Sequence, residues 1–339
     1  MNRAELVKTL ELVKPALATN NMVPIFQCFV FGMGMVEAYD DTIGIRGPCD
    51  IESEFAIHGN TLLGLLSNGK TEEASIEING NAAILTMGKT VSKLPFHTKD
   101  NFIFEAPTVD AKSGIPFTES LAEALKTCLE TVSSDATQAA LLGISIVGDN
   151  LYSCNGDSLT WVKLKKGIKG RTLLPTAFCE ATLKLWSALK ITKGTLCMND
   201  EWVAAELGDW SVYGRILEVA EPIDFEALIT RNLKTKTALE GVPDDFSEAL
   251  SRARVLSDPE SQKTVITVSK GKLQLVTETH MGEVKDVLTF SKSHPEVVAN
   301  VNASHLQRAI AHCDQIAFHE NCVLLEKAPD VLMLVSNMS

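Results

Sequence analysis

Phe29-Val30-Phe31-Gly32-Met33-Gly34-Met35-Val36-Glu37-Ala38-Tyr39 reads as a β-hairpin: apolar residues run into a turn that holds two glycines, and alternation resumes behind it. The same device recurs twice. Ile144-Ser145-Ile146 turns near Gly148-Asp149-Asn150 into Leu151 to Cys154, and Val265 to Val268 turns at Lys270-Gly271 into Leu273 to Val276.

Each hairpin is preceded by an amphipathic helix pattern. Leu6, Leu10, Val13 and Leu17 form the first stripe, Leu121, Leu125, Leu129 and Val132 the second, and Phe246, Leu250, Ala253 and Leu256 the third. Thr118 with Glu119, and Asp244 with Asp245, stand where N-caps belong. A second helix follows each hairpin, opened by Asn60, Thr176 and Asn302 in turn. Then come two further strands around the polar turns Asn79-Gly80-Asn81, Asn199-Asp200-Glu201 and His319-Glu320-Asn321, about 120 residues apart.

Helix, strands, helix, strands therefore occurs three times, in units of about 110 residues. The expected architecture is α+β, with domains at 1–110, 114–231 and 240–339. Linkers are expected near Thr108 to Gly114 and Thr230 to Val242, the latter with Lys234 and Lys236. The 339 residues suit this count, and 45% hydrophobic against 22% charged composition excludes a disordered or collagen-like chain. No apolar run reaches the roughly 20 residues that span a bilayer, and no secretory signal is expected, so the chain reads as soluble and cytoplasmic. The eight Cys (28, 49, 128, 154, 179, 197, 313 and 322) contain no C-x-x-C pair and read as reduced, mostly buried thiols.

Enzyme motifs are missing. Gly32-Met33-Gly34 lacks the third glycine of a phosphate-cradling loop and reads as a turn. His305 and His312 share a helix face, but His319 belongs to the next strand turn, so a metal site is not expected. Asp40-Asp41 and Asp244-Asp245 are explained by turns and caps. Neither a G-x-S-x-G elbow nor an H-E-x-x-H helix is present. No cofactor, metal or catalytic residue is expected. A net charge of -12 argues against wholesale binding to a phosphate backbone unless the 31 Lys and Arg are concentrated on one face.

With the repeat in view, the sequence resembles the bacterial β-type DNA polymerase III sliding clamps along essentially its whole length, as a divergent or phage-encoded version. Val23-Pro24-Ile25, Asp40-Asp41, Lys93-Leu94-Pro95 and Asp100-Asn101-Phe102 are each similar to a stretch of the family. Asn155-Gly156-Asp157-Ser158-Leu159 stands where the family tends to read Asp-Gly-His-Arg-Leu, and Pro222-Ile223-Asp224-Phe225 where it has Phe-Pro-Asp-Tyr. The resemblance implies a head-to-tail homodimer of six similar domains closed around duplex DNA, with helices inside and sheets outside. Its partners would be duplex DNA, bound without sequence preference, a DNA polymerase and a clamp loader. The competing reading keeps the fold as a protein-interaction module that does not encircle DNA.

A sliding ring needs attraction to phosphates without base readout. Candidate DNA contacts on the expected helices are Lys8, Lys14, Lys126, Lys184, Lys190, Arg252, Arg254 and Arg308, though Glu5, Glu11, Glu123 and Glu130 share those helices. Lys163, Lys165, Lys166, Lys169 and Arg171 form the densest basic run, either a DNA contact or a solvated loop. The family's pocket for short partner peptides corresponds by position to Cys154, Gly156, Leu159, Ile223, Leu228, Met333 and Val335. Asp157 and Ser158 replace the family's His and Arg there, and Glu226-Ala227 a basic pair. Asn20-Asn21-Met22 occupies a loop where the family often carries an Arg, so no DNA contact is carried over to it.

Overall fold

The computed structural model describes residues 1–20, 23–108, 114–168, 170–219, 221–232, 238–258 and 262–338. Asn21 and Met22, the middles of both expected linkers (with Lys234 and Lys236), and Lys169 of the basic run lie outside these described residues.

The first repeat runs α1 (Arg3–Val13), β1 (Cys28–Gly32), β2 (Met35–Tyr39), β3 (Ile43–Pro48), β4 (Phe55–His58), α2 (Gly59–Asn68), β5 (Ser75–Asn79), β6 (Ala82–Met87) and β7 (Thr90–Leu94). After β8 (Ile115–Phe117), the second holds α3 (Glu119–Leu129), β9 (Gly143–Val147), β10 (Asn150–Cys154), β11 (Ser158–Lys163) and β12 (Arg171–Pro175). It closes with α4 (Thr176–Leu189), β13 (Gly194–Met198), β14 (Trp202–Leu207) and β15 (Trp210–Arg215). The third follows α5 (Phe225–Asn232) and β16 (Glu240–Gly241), with α6 (Phe246–Leu256), β17 (Lys263–Ser269), β18 (Lys272–Thr279), β19 (Gly282–Thr289) and β20 (Val297–Asn302). Its last elements are α7 (Ala303–Ile310), β21 (Gln315–Phe318), β22 (Cys322–Lys327) and β23 (Val331–Ser336).

Two compact units result: Met1–Ala122 with Ala177–Ile216, and Glu123–Thr176 with Leu217–Ser339. The first contains an eight-stranded sheet in the order β4-β1-β2-β3-β15-β14-β13-β8 and a three-stranded sheet β5-β6-β7. The second contains the eight-stranded sheet β12-β9-β10-β11-β23-β22-β21-β16 and the four-stranded sheet β19-β18-β17-β20. The segment 114–231, expected as one domain, thus gives β9–β12 to one unit and β13–β15 to the other.

Local chemistry explains the elements. The β1–β2 turn needs left-handed backbone at both central residues, and Met33 (φ 54°) and Gly34 (φ 71°) supply it. α1 stops at Val13, not at Leu17 as its stripe suggests, because Pro15 cannot donate to an α-helical ladder; a single 3₁₀ turn over Lys14–Ala16 still buries Leu17. Asn302 caps α7 by accepting from the amides of Ser304 and His305 (2.9 and 3.0 Å). The expected cap Asn60 is instead inside α2, which His58 caps through Nδ1, and Asp245 stands at the start of α6 without a side-chain capping bond. Thr176 is the first residue of α4 rather than its cap, its hydroxyl bonded to the Leu142 carbonyl at 2.7 Å.

Strand alternation divides the second unit's interior into two cores. Phe246 and Leu250 of α6 and Leu306 of α7 pack on Ile266, Leu273 and Leu275 and on Ile316, Phe318, Val323, Leu325, Met333 and Val335. The intervening residues Ala317, Leu324, Leu332 and Leu334 face the opposite side of the sheet. Thr131 is hydrogen-bonded to Ser153 and Thr160 (2.7 Å each), and Ser153 donates to the Cys128 carbonyl, so the buried hydroxyls behind α3 are paired.

Candidate partner-peptide face and basic helix surfaces

On the side of the second unit's large sheet away from α6 and α7, period-two geometry gathers Tyr152 and Cys154 of β10 with Leu159 and Trp161 of β11 and Leu332 and Leu334 of β23. Register holds them together: Tyr152 lies opposite Trp161, Cys154 opposite Leu159, Leu159 opposite Leu334 and Trp161 opposite Leu332. α5 covers this face. Asp224 starts the helix by accepting from the Ala227 amide at 2.9 Å, which sets Phe225 flat on Tyr152 (centroids 4.8 Å apart, planes 2°). Arg171 stands over the Phe225 ring at 5.7 Å. Burial raises the Tyr152 phenol and the Cys154 thiol and lowers the Arg171 guanidinium.

Of the pocket residues expected from sequence, Cys154, Leu159, Ile223 and Leu228 come together here. Gly156 lies on the adjoining loop, exposed, at φ 93°; Asn155 folds that loop by accepting from the amides of Asp157 and Ser158 (3.1 and 2.8 Å). Met333 and Val335 do not join them: both are 1% exposed in the core against α6 and α7, since they are one residue out of phase with this face. Leu332 and Leu334 take their place. Tyr152, Phe225 and Trp161 also line the cluster unannounced by the sequence pattern. Alternation within β23 itself sets Leu332 and Leu334 apart from Met333 and Val335; the stacked aromatics come from separate segments and carry no spacing signal.

All eight candidate DNA contacts are exposed side chains on or just past helices. Five are engaged locally. Lys14 pairs with Glu11 (3.7 Å), Lys126 with Glu123 (3.9 Å), and Lys184 donates to the Glu11 carbonyl (2.7 Å). Arg254 donates to Gln307 (2.5 Å), and Arg252 grips Asp286 through Nε and an η nitrogen (3.1 and 2.8 Å). Among the described residues Lys8, Lys190 and Arg308 have no carboxylate within 4.0 Å. In the basic run, Lys163 pairs with Asp149 at 2.8 Å, and the loop behind it is bonded back onto the β9–β10 turn through Leu164, Ile168 and Gly170. That ties the run to the hairpin end of the sheet.

His305 is on α7, His312 lies just past it and His319 follows β21; among the described residues no three His, Cys, Asp or Glu side chains gather where a metal could be held. The described helices include none long and apolar enough to cross a membrane. All eight cysteines are free thiols.

No family model matches the chain, and no curated protein sequence matches it. Solved structures do. A DnaN sliding clamp (DNA polymerase III subunit beta) from Bartonella birtlesii, bound to griselimycin, superposes with a TM-score of 0.87 at 18% identity over 100% of this chain and 98% of that one. This chain has the sliding-clamp fold. The sliding clamp of C. crescentus (TM-score 0.86, 16% identity) and the DNA polymerase III beta subunit of Thermotoga maritima (0.84, 17%) match over the same 100% and 98%. A clamp fold accounts for the triple order of elements and for sheets assembled from successive repeats, while the identities leave the side chains of each surface to be judged on their own chemistry.

Proposed function

We propose that this protein is a DNA sliding clamp: a non-catalytic, cytoplasmic processivity factor of bacterial or phage replication that closes as a head-to-tail dimer around duplex DNA. The observation that carries this reading is the unequal ending of a regular pattern. Two four-stranded half-sheets are each completed by a partner half-sheet from the next repeat, at β3–β15 and at β11–β23. The remaining halves, β19-β18-β17-β20 and β5-β6-β7, stop at unpaired edges of complementary kind. A heterologous contact of this sort closes with two copies if the rotation per repeat permits. The three repeats would persist as the domains 1–110, 114–231 and 240–339 of the ring.

The helix cations would supply phosphate attraction, led by Lys8, Lys190 and Arg308, with the five engaged side chains contributing less. The outer face of the second unit would take short peptides from a DNA polymerase, a clamp loader and other partners. Half-buried Cys154, Ile223 and Leu228 are the accessible part of that face, with Gly156 at its rim and Leu159, Leu332 and Leu334 beneath.

Light scattering after size exclusion should give twice 36.8 kDa, and the protein should stay on nicked circular DNA but slide off once that DNA is cut. A monomer that leaves both DNAs alike overturns the reading. The ion pairs that occupy Lys14, Lys126 and Arg252, together with a net charge of -12, favour one alternative: a clamp-fold module that binds only proteins. Reversing Lys8, Lys190 and Arg308 to Glu separates the two, because a DNA clamp loses processivity and a protein-binding module keeps its partner.

A further inference from the structure

The apolar face under α5 is charged in a lopsided way at its rim. Tyr152 and Cys154 mark its length along β10, about 7 Å apart at the two-residue repeat of a strand. Asp157 stands just past Cys154 on the loop that Asn155 folds, and Glu226 stands in the first turn of α5, next to the Phe225 that stacks on Tyr152; both carboxylates are exposed. Their charges reach the face. Asp157 acts on the Cys154 thiol and Glu226 on the Tyr152 phenol, each adding to what burial does.

Neither carboxylate is answered by a cation. Among the described residues no Lys, Arg or His nitrogen lies within 4.0 Å of Asp157 or Glu226. The other charges near the face are engaged with one another: Asp149 is paired with Lys163 at 2.8 Å, and the Arg171 guanidinium, over the Phe225 ring at 5.7 Å, is drawn on by Asp224. Arg231 belongs to the last turn of α5, away from Glu226 in the first. Lys165 and Lys166 are on the loop bonded to the β9–β10 turn, at the end of the sheet opposite to Asp157. His305 feels the charge of Asp157, but burial lowers its pKa and keeps the ring neutral near neutral pH.

We propose that this face selects short peptides whose apolar anchors are accompanied by a Lys or Arg directed toward Asp157 and Glu226, and discriminates against peptides flanked by Asp or Glu. The inference rests on the peptide-binding part of the reading above and deepens it by naming the charge of the partner. Half-buried Cys154, Ile223 and Leu228 supply contact area whatever the sign of the peptide. The two carboxylates supply the sign, because an uncompensated like charge at a rim disfavours the wrong partner more than the right charge strengthens the correct one. A Lys or Arg suits the place, since its stem can lie on apolar surface while its charged end reaches a carboxylate.

Fluorescence anisotropy tests this with three labelled peptides of about six residues. They share a Leu-Phe core, one aliphatic and one aromatic anchor, and carry Lys, Ser or Glu on both sides of it. With the full chain at low salt, the Lys peptide should bind roughly five- to tenfold tighter than the Glu peptide, with Ser between, and the gap should narrow as salt rises. A net charge of -12 attracts any cation weakly, so the local variants decide. Asp157→Asn with Glu226→Gln should close the gap, and Asp157→Lys with Glu226→Lys should reverse it. Asp209→Asn, which removes an exposed carboxylate of the first unit, should leave it as it was. Leu228→Ala should weaken all three peptides alike. Equal binding of the three, or a gap that the paired variants leave open, overturns the charge preference, and the apolar face stands if Leu228→Ala still weakens them. Peptides that do not bind, or that bind regardless of Leu228, overturn the peptide face as well. Retention on nicked circular DNA, which none of these variants should change, reads the ring separately.

Discussion

Phe225 lies on Tyr152 with ring planes 2° from parallel and centroids 4.8 Å apart, and this contact joins α5 to the large sheet of the second unit. Both rings are nearly buried, at 4% and 3% exposure. Phe225→Ala should cost about 3–5 kcal/mol of stability, and a double-mutant cycle with Tyr152→Leu should return a coupling of about 0.5–1.5 kcal/mol. Urea unfolding of the four proteins measures it. A coupling indistinguishable from zero would mean that α5 is held by other contacts.

The opposite phases of β23 make a sharper prediction about the candidate partner-peptide face. Met333 packs against α6 and α7, so Met333→Ala should cost about 2–5 kcal/mol and leave affinity for a clamp-binding peptide unchanged. Leu228 sits half-buried on α5, and Leu228→Ala should do the reverse, with peptide affinity falling at least about fivefold, the loss of roughly 1 kcal/mol of apolar contact, and little change in stability. Calorimetric titration with a peptide from the polymerase of the same replication system, run beside urea melts, reads both. If Met333→Ala weakened the peptide more than Leu228→Ala, the assignment of faces would be reversed.

Legibility in the sequence tracked how local the determining physics was. Hairpins such as Gly32-Met33-Gly34 and the stripe Leu6, Leu10, Val13 are set by neighbours in the chain, and the triple order of elements followed from them. Which half-sheet meets which is set by distant residues. Nothing near Ile43–Pro48 announces that β3 joins β15, and so the sharing of segment 114–231 between two units was invisible. The same limit applies to the candidate site: Leu159 and Ile223 lie on one face, while Met333 and Val335 lie in the other core, a single residue of phase being enough to move a strand side chain across the sheet. Lys184 and Arg252, candidate DNA contacts by their place on helices, are engaged by the Glu11 carbonyl and the Asp286 carboxylate, partners that lie far from them in the chain.

Asp286 holds Arg252 in a two-pronged grip with η-nitrogen and Nε distances of 2.8 and 3.1 Å, which withholds that cation from phosphates. Asp286→Asn should free it, raising duplex affinity at low salt and steepening the dependence of log K on log salt by up to about one unit, since each neutralised phosphate contributes about 0.9. Lys8→Ala should flatten the slope by a similar amount. Fluorescence anisotropy of a labelled duplex from low to moderate salt gives both slopes. Unchanged slopes in both variants would place DNA on some other surface.

Stability should fall as the solution is acidified through the histidine range, and the second unit should fail first. His305, His312 and His319 all lie in that unit, and burial lowers each below the ordinary value of 6.5. His312 accepts or donates at Thr127 (3.2 Å) and faces Glu130 at 3.9 Å, with Lys126, Glu123 and Lys327 nearby; the carboxylates pull its pKa up, but desolvation outweighs them. A base whose folded pKa is depressed stays neutral in the native state while the unfolded chain takes the proton. Unfolding therefore binds protons below about pH 6.5, and stability present above that value is lost progressively as pH falls toward the folded pKa values. Glu326, raised by burial, has the opposite sign and acts nearer the carboxylate range. Urea midpoints between pH 7.5 and 5 should thus decline, and His312→Gln, which keeps a polar partner for Thr127 without a titrating ring, should flatten the decline by up to one proton's worth of slope. A midpoint that holds constant over this interval, or a slope that His312→Gln leaves untouched, would show that folding does not depress the imidazole pKa values.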